Sequence, residues 1–207
     1  MLKSVNRLLK PLLLAVIGLV FLCGISREMG QDRAHQELSS CWKLLKFGQN
    51  GCKASFPTIP EHRKRIFFME KEQKIFCDFY RSIGSSNTQY LMVVSSYCFQ
   101  GMEESRSENQ GRGSSREQIL RLEIFLNHCM RGGADHQLEF ANLTQVQGYC
   151  ALDFSILAPR SRIKGRAIIT KDSFYVLAMQ CHPKHYVEDH FSHFIKSFQI
   201  LHVSPDS

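Results

Sequence analysis

Four histidines near the C-terminal end of the chain have the residue type and spacing of metal ligands. His182 and His185 are three residues apart, and His190 and His193 repeat that spacing. Imidazoles at such spacings can meet on one face of a turn or helix and bind zinc or copper. The chain has nine histidines, so chance clustering on a solvent-facing surface is the competing interpretation. Periplasmic metal binding by these four residues is therefore an alternative function.

A second chemical feature is the pair formed by Cys181 and His182. A cysteine beside a histidine could suggest a thiolate nucleophile in an envelope hydrolase. Such catalysis needs neighbours in space and a third, orienting group, so a core or disulfide cysteine is the preferred interpretation. The sequence contains no G-x-S-x-G, P-loop or H-E-x-x-H motif. We therefore expect a protein that is not an enzyme and needs no cofactor.

Basic residues alternate strictly over one short stretch that contains Arg160, Arg162, Lys164 and Arg166. On a strand these side chains would project from one face as a basic stripe. Contact with anionic lipid or an acidic partner is the functional interpretation, and an ordinary solvated sheet face is the favoured one. Residues 62–65 form a second basic run. We expect no nucleic-acid partner for an exported chain.

The eight cysteines lie at positions 23, 41, 52, 77, 98, 129, 150 and 181. Exported chains meet oxidising surroundings, which makes disulfides plausible. Cys41 and Cys52 flank a turn-rich stretch, so they are the predicted disulfide pair. Cys77, Cys98 and Cys150 lie in apolar alternations and are predicted to be small buried side chains. No C-x-x-C motif suggests a redox or zinc site.

The N-terminal segment 1–26 has the composition of a targeting sequence. Lys3, Arg7 and Lys10 precede an uncharged stretch that is rich in Leu, Val and Ile. A positive start followed by a short apolar run is typical of a signal peptide. The run is shorter than the roughly 20 apolar residues of a stable membrane-spanning helix, although Leu8 and Leu9 could extend it. The segment is predicted to be a signal peptide or a membrane anchor.

Cys23 lies at the end of that apolar run, in Leu19-Val20-Phe21-Leu22-Cys23-Gly24. This sequence resembles a bacterial lipobox, in which the cysteine is lipidated and becomes the first mature residue. Leu22 departs from that pattern, which normally has a small residue before the cysteine. Lipidation at Cys23 is the preferred interpretation, with cleavage elsewhere or retention of the segment as alternatives.

Residues 27–40 are polar and without apolar periodicity, so they are predicted to be a tether. Residues 41–207 are predicted to form a single α+β domain. Strands are expected at 52–56, 74–81, 89–99, 148–157, 162–170 and 173–180, and helices from about 114 to 130 and 185 to 198. Strands, a helix, more strands and a last helix favour an antiparallel sheet with helices packed on it.

The stretch from about Cys52 to Leu201 resembles a PsbP-like domain in its order of elements. The resemblance is carried by Ala54-Ser55-Phe56-Pro57 with Pro60, Lys164-Gly165-Arg166, Phe174-Tyr175-Val176-Leu177 and Phe191-Ser192-His193-Phe194-Ile195-Lys196-Ser197-Phe198. It implies an α/β/α sandwich that is used for binding and assembly, including by lipid-anchored envelope proteins. It carries no catalytic residues, and function from fold alone is analogy.

Together these features predict an exported, membrane-associated protein of the bacterial cell envelope, lipid-anchored and facing the periplasm or the cell exterior. Its domain is expected to bind a partner, another envelope protein, or to support assembly without catalysis. The formal net charge of +7 includes three basic residues of the N-terminal segment, so the remaining chain is mildly basic. That balance favours anionic surfaces, though weakly.

The lipobox resemblance predicts that Cys23 receives a lipid. Labelled palmitate should enter the wild-type chain in growing cells, and Cys23→Ala should take up none, because the thiol that would carry the lipid is absent. Autoradiography of the immunoprecipitated proteins measures this. Equal labelling of the two proteins would contradict lipidation, and detergent partitioning of Cys23→Ala would then distinguish a retained helix from a secreted form.

Overall fold

The computed structural model describes residues 42–47, 51–68, 74–96, 115–131, 135–170 and 173–201, which contain ten strands and two helices. The strands are β1 Lys43–Phe47, β2 Cys52–Phe56, β3 Glu61–Phe68, β4 Lys74–Ile83, β5 Gln89–Ser96, β6 Gln137–Val146, β7 Tyr149–Ala158, β8 Ser161–Ile169, β9 Ser173–Cys181 and β10 Gln199–Ile200. The helices are α1 Ser115–Arg131 and α2 Glu188–Ser197, and short 3-10 turns span Ser85–Asn87 and Pro183–His185.

The strands form two antiparallel sheets. Seven strands make the large sheet, in the order β3-β4-β5-β9-β8-β7-β6, and β1-β2-β10 make a small sheet. Neighbouring strands within each sheet are antiparallel. The predicted antiparallel sheet with helices packed on it is therefore confirmed.

Both faces of the large sheet are apolar and covered. Along β9, Phe174, Val176 and Ala178 point to one face, while Tyr175, Leu177 and Met179 point to the other, and all six are buried. Helix α1 covers the first face with Leu122, Phe125 and Cys129. Helix α2 and the small sheet cover the second face. The expected α/β/α sandwich is thus met in part, because one outer layer contains a sheet as well as a helix.

Four strands escaped prediction, and one of them, β10, has only two residues, too few for an alternation to show. The other three were missed for identifiable physical reasons. In β6 the register with β7 shifts between Leu138 and Phe140, so the alternation of apolar residues is interrupted. Strand β3 is an outer strand, and its first five residues are charged or titratable, so it lacks the apolar alternation that predicts a strand. The five residues of β1 include two lysines and show no clean alternation.

The last helix is shorter than predicted. Pro183 begins a 3-10 turn, and the α-helix starts at Glu188 rather than near His185. Val187 is exposed, so it does not belong to the predicted apolar stripe, whereas Phe191, Phe194, Ile195 and Phe198 are buried as expected. The orientation of the helix face is therefore as predicted from Phe191 onwards.

Several predicted features lie outside the described residues. They are the N-terminal segment 1–26 with Cys23, the tether 27–40, Cys41, Cys98 and Ser114, the expected cap of α1. These features stay predictions. Neither helix of the described residues is long and apolar enough to cross a membrane.

Phe194 is the central contact between α2 and the large sheet. Its side chain is fully buried, and its ring centroid lies 5.3 Å from that of Phe56 in β2 and 5.4 Å from that of Tyr90 in β5. One helix residue thus contacts both sheets. The apolar stripe of α2 therefore joins the two sheets to each other.

Phe194→Ala should destabilise the domain by about 3–5 kcal/mol, because a buried phenylalanine leaves a cavity when truncated. That is a large share of the roughly 5–15 kcal/mol that stabilises a domain of this size. Phe76→Ala deletes the same atoms from a side chain that is 43% exposed, so it is the matched control. Urea denaturation measures both, and equal losses of stability would contradict the central position of Phe194.

Candidate functional site

The predicted basic stripe lies on β8, but it contains three residues rather than four. Arg162, Lys164 and Arg166 alternate with residues of the apolar core, so they share the face of the sheet on which α2 packs. Arg160 lies in the turn between β7 and β8, not on the strand. The alternation therefore predicted the common face of the three strand residues correctly.

Each of the three strand residues forms an ion pair with an acid from a different part of the chain. The pairs are Arg162 Nη2 with Glu139 Oε1 at 2.7 Å, Lys164 Nζ with Glu188 Oε2 at 2.7 Å and Arg166 Nη2 with Asp153 Oδ2 at 2.8 Å. The basic side chains are between 17% and 29% exposed. The three strand residues are therefore ion-paired and partly buried. The spacing of the basic residues in the sequence gave no sign of the three acids.

Lys164 occupies the most enclosed position of the stripe. Its Nζ lies 5.7, 5.4 and 4.6 Å from the ring centroids of Phe140, Tyr186 and Phe191. The amino group also donates to Tyr186 Oη at 2.9 Å and to both carboxylate oxygens of Glu188. Aromatic faces and a carboxylate both attract a cation. Through these contacts Lys164 of β8 links Phe140 of β6 to Tyr186 and to Glu188 at the start of α2.

The same contacts shift the ionisation of their acidic partners. Hydrogen bonds from Lys164 and from Tyr186 hold the pKa of Glu188 below its ordinary value. Burial raises the pKa of Tyr186, and its hydrogen bond to Glu188 adds to that rise. A hydrogen bond from Ser155, followed by one from Arg162, lowers the pKa of Glu139. These contacts connect β6, β8 and the start of α2.

A glycine, Gly165, lies between Lys164 and Arg166 on β8. Gly165 is paired with Phe154 across β7 and β8. A β-carbon at this position would lie 2.6 Å from Cζ of Phe154 and 2.7 Å from the carbonyl oxygen of Leu177. Because neither contact leaves room for a side chain, the packing of Phe154 requires glycine here.

The four histidines divide into two separate pairs. The rings of His182 and His185 lie 5.7 Å apart in the 3-10 turn, and His182 Nδ1 accepts a hydrogen bond from the amide of Lys184. The rings of His190 and His193 lie 6.2 and 4.6 Å from Trp42. Among the residues that the structure describes, no three His, Cys, Asp or Glu side chains are placed to hold a metal ion.

No two cysteines of the described residues are bonded to each other. Burial is the main cause that raises the pKa of Cys181, and it raises the pKa of Cys52 to about 12 and that of Cys77 to about 11. At Cys181 burial thus disfavours the thiolate, the form in which a cysteine acts as a nucleophile. Cys52 is buried and its predicted partner Cys41 lies outside the described residues, so their disulfide stays a prediction.

A pair that the sequence did not reveal joins β3 to β4. His62 Nε2 lies 2.7 Å from Oδ1 of Asp78, whose residue is 6% exposed, and the His62 ring stacks on Tyr80 at 4.6 Å. The two-residue spacing of Asp78 and Tyr80 in β4 could have predicted that they share one face. The sequence gives no signal for the register of β3 against β4, so the contact with His62 could not be predicted. Alternation along β3 splits the basic run 62–65 between two faces.

Three lysines of the small sheet are exposed or half-buried. Lys43 and Lys46 of β1 are exposed, and Lys53 of β2 is half-buried. Lys46 and Lys53 are direct cross-strand partners, on the face of the small sheet that points away from the core residues Cys52 and Ala54. We call Lys46 and Lys53 the lysine surface; Lys43 is paired with the buried Phe56 and therefore lies on the opposite face of β1.

Comparisons with known proteins concern the fold alone. No protein-family model and no curated protein matches the chain. The cyanobacterial PsbP protein of Synechocystis sp. PCC 6803 is a similar solved structure, with 11% identity, a TM-score of 0.45 and coverage of 83% of this chain and 98% of that one. A protein of unknown function from Pseudomonas aeruginosa has 12% identity, a TM-score of 0.38 and coverage of 80% and 98%.

The PsbP-like resemblance that the sequence motifs gave is thus found again among solved structures. At these TM-scores neither similarity supports an inference about activity, partners or location.

Glu188→Gln should make the stability of the domain less dependent on pH. The folded pKa of Glu188 is lowered, so the carboxylate contributes stability above its unfolded pKa of about 4.3 and loses it as pH falls through the folded value. We expect the free energy of unfolding of the wild type to fall between about pH 5 and pH 3, and that of Glu188→Gln to fall less. Urea denaturation over this range measures the slopes.

The control for this experiment is the same substitution in a Lys164→Met background. Since Lys164 is the largest cause of the lowered pKa of Glu188, Glu188→Gln should then change the slope much less. An equal change of slope in both backgrounds would contradict the coupling between Lys164 and Glu188.

Proposed function

We propose that this chain is an exported protein of the bacterial envelope, held at a membrane by its N-terminal segment, whose folded domain binds without catalysis. We propose further that the lysine surface contacts the anionic headgroups of the membrane that anchors the chain. The observation that carries the proposal is the direct pairing of Lys46 with Lys53 across β1 and β2.

That pairing is unfavourable in the isolated domain. Like charges directly opposite each other on neighbouring antiparallel strands repel, and cross-strand pairs contribute on the order of 0.2–1 kcal/mol. An anionic membrane reverses the balance, because each lysine near its surface contributes about 1 kcal/mol of attraction. The Lys46–Lys53 pair weakens the small sheet in solution, but it is favourable when the surface contacts anionic headgroups.

The position of the lysine surface in the chain supports the same function. Lys46 follows the last residue of the predicted tether, residues 27–40, by six positions. An extended chain covers at most about 3.6 Å per residue, so Lys46 lies within roughly 22 Å of the end of the tether. The proposed tether would hold the domain within roughly 50 Å of the membrane, which lets the lysine surface turn towards the headgroups. The ion-paired stripe on β8 is not part of this surface.

Neutralising the pair should move membrane binding and stability in opposite directions. For Lys46→Gln/Lys53→Gln in residues 27–207, we expect roughly 30-fold weaker partitioning onto phosphatidylglycerol vesicles, from about 1 kcal/mol per lysine. The thermal stability should stay equal or rise, because the repulsion is removed. Vesicle flotation and thermal unfolding measure the two quantities. The shortened chain is suitable because both apolar cores are built from residues between 42 and 201.

Lys184→Glu is the matched control, because it changes the net charge by the same two units at an exposed residue that does not belong to the small sheet. It should bind anionic vesicles like the wild type, and all three proteins should be released by high salt. Equal binding by the wild type and by Lys46→Gln/Lys53→Gln would overturn the proposal. So would equal binding of the wild type to neutral phosphatidylcholine vesicles.

A further inference from the structure

The two outer strands of the large sheet differ sharply in charge. Within the described residues, β3 is paired on one side by β4, and β6 is paired on one side by β7. Five consecutive residues of β3 are charged or titratable: Glu61, His62, Arg63, Lys64 and Arg65. Charged side chains on an outer strand prevent further strands from pairing with it. The β3 edge of the sheet therefore has the composition of a protected edge.

Strand β6 has no comparable protection. Its charged residue is Glu139, whose carboxylate accepts hydrogen bonds from Ser155 at 2.6 Å and from Arg162 at 2.7 Å. The seven residues from Phe140 to Val146 are uncharged and contain no proline. They keep a regular register with β7, since the register shift lies before Phe140. At about 3.4 Å per residue they offer an extended edge of roughly 24 Å.

Exposed apolar side chains accompany this edge. Leu143 is 53% exposed and Leu138 is 43% exposed, although both are strand residues of a well-packed sheet. Leu143 is paired with the buried Leu152 of β7, so it continues the apolar face that α1 covers. A long, uncharged outer strand with exposed leucines is the arrangement that favours addition of another strand.

We propose that β6 pairs antiparallel with β6 of a second copy of this chain, so that two seven-stranded sheets become one continuous sheet. A two-fold axis brings the same surface of both copies together, so the segment must be compatible with itself. Self-pairing over residues 140–146 places uncharged residues against uncharged residues. The same pairing through β3 would bring Arg63 and Arg65 of one copy against those of the other.

The polar side chains of the segment also suit self-pairing. With Leu143 on the two-fold axis, Asn142 of one copy lies opposite Thr144 of the other, and both side chains carry a donor and an acceptor, so they can bond across the interface. The exposed Leu143 side chains of two copies would cover each other on the face of α1. This interface uses β6 and not the lysine surface, so it does not depend on the proposed membrane contact.

Leu143→Lys tests the interface by giving β6 the kind of charge that protects β3. Sedimentation equilibrium of residues 27–207, from 1 to 100 μM, should show a monomer–dimer equilibrium for the wild type. In Leu143→Lys each dimer would hold two opposed lysines, so we expect the dimer Kd to rise at least tenfold. Ile66→Lys is the matched control, because it places the same charge at a 48% exposed position of β3, and it should dimerise like the wild type.

Thermal unfolding of both variants shows whether the fold is intact. If Leu143→Lys fails to fold, hydrogen exchange of the wild type replaces it: amides of residues 141–146 should become more protected as concentration rises, and those of β3 should not. A wild type that stays monomeric at 100 μM would overturn the proposal. An unchanged Kd in folded Leu143→Lys, or protection of β6 amides that is independent of concentration, would overturn it as well.

Discussion

The burial of both faces of the large sheet is the constraint on which the rest of the structure depends. Strand β9 lies at the centre of that sheet and is apolar on both sides, so neither face can be left to water. Helix α1 can cover one face, but the ten residues of α2 are too few to cover the other, and the small sheet completes that layer. The three-layer architecture, the aromatic contacts of Phe194 and the position of the lysines on the outermost surface all follow from this requirement.

The charged residues of β8 show how the fold tolerates polar groups beneath a covering layer. Removing a charge from water is costly unless it is paired and hydrogen-bonded. The layer that contains α2 partly covers Arg162, Lys164 and Arg166. Each of these side chains pairs with a carboxylate that is itself partly exposed to solvent. Two of these carboxylates come from β6 and from the start of α2, so the pairs also connect elements that are distant in sequence.

Local periodicity was enough to predict six strands and both helices, but it was not enough to predict the site. The alternation of β7 and the helical spacing of Phe191, Phe194 and Ile195 are properties of short segments, and they gave the correct buried faces. The partners of β8 come from three separate regions, and the contact of His62 with Asp78 depends on the register between two strands. Neither is encoded in any single segment. The register shift in β6 removed even the local signal, so the strand with the most open edge was the hardest to recognise.

Gly165 has a consequence for the register in which β8 can pair with β7. A slip of β8 by one residue would exchange its two faces and place Lys164 or Arg166 in the apolar core. A slip by two residues would preserve the faces, but it would put Ile163 or Ala167 opposite Phe154, where even a β-carbon has no room. The missing side chain of Gly165 thus makes misaligned pairings of β7 and β8 sterically unfavourable.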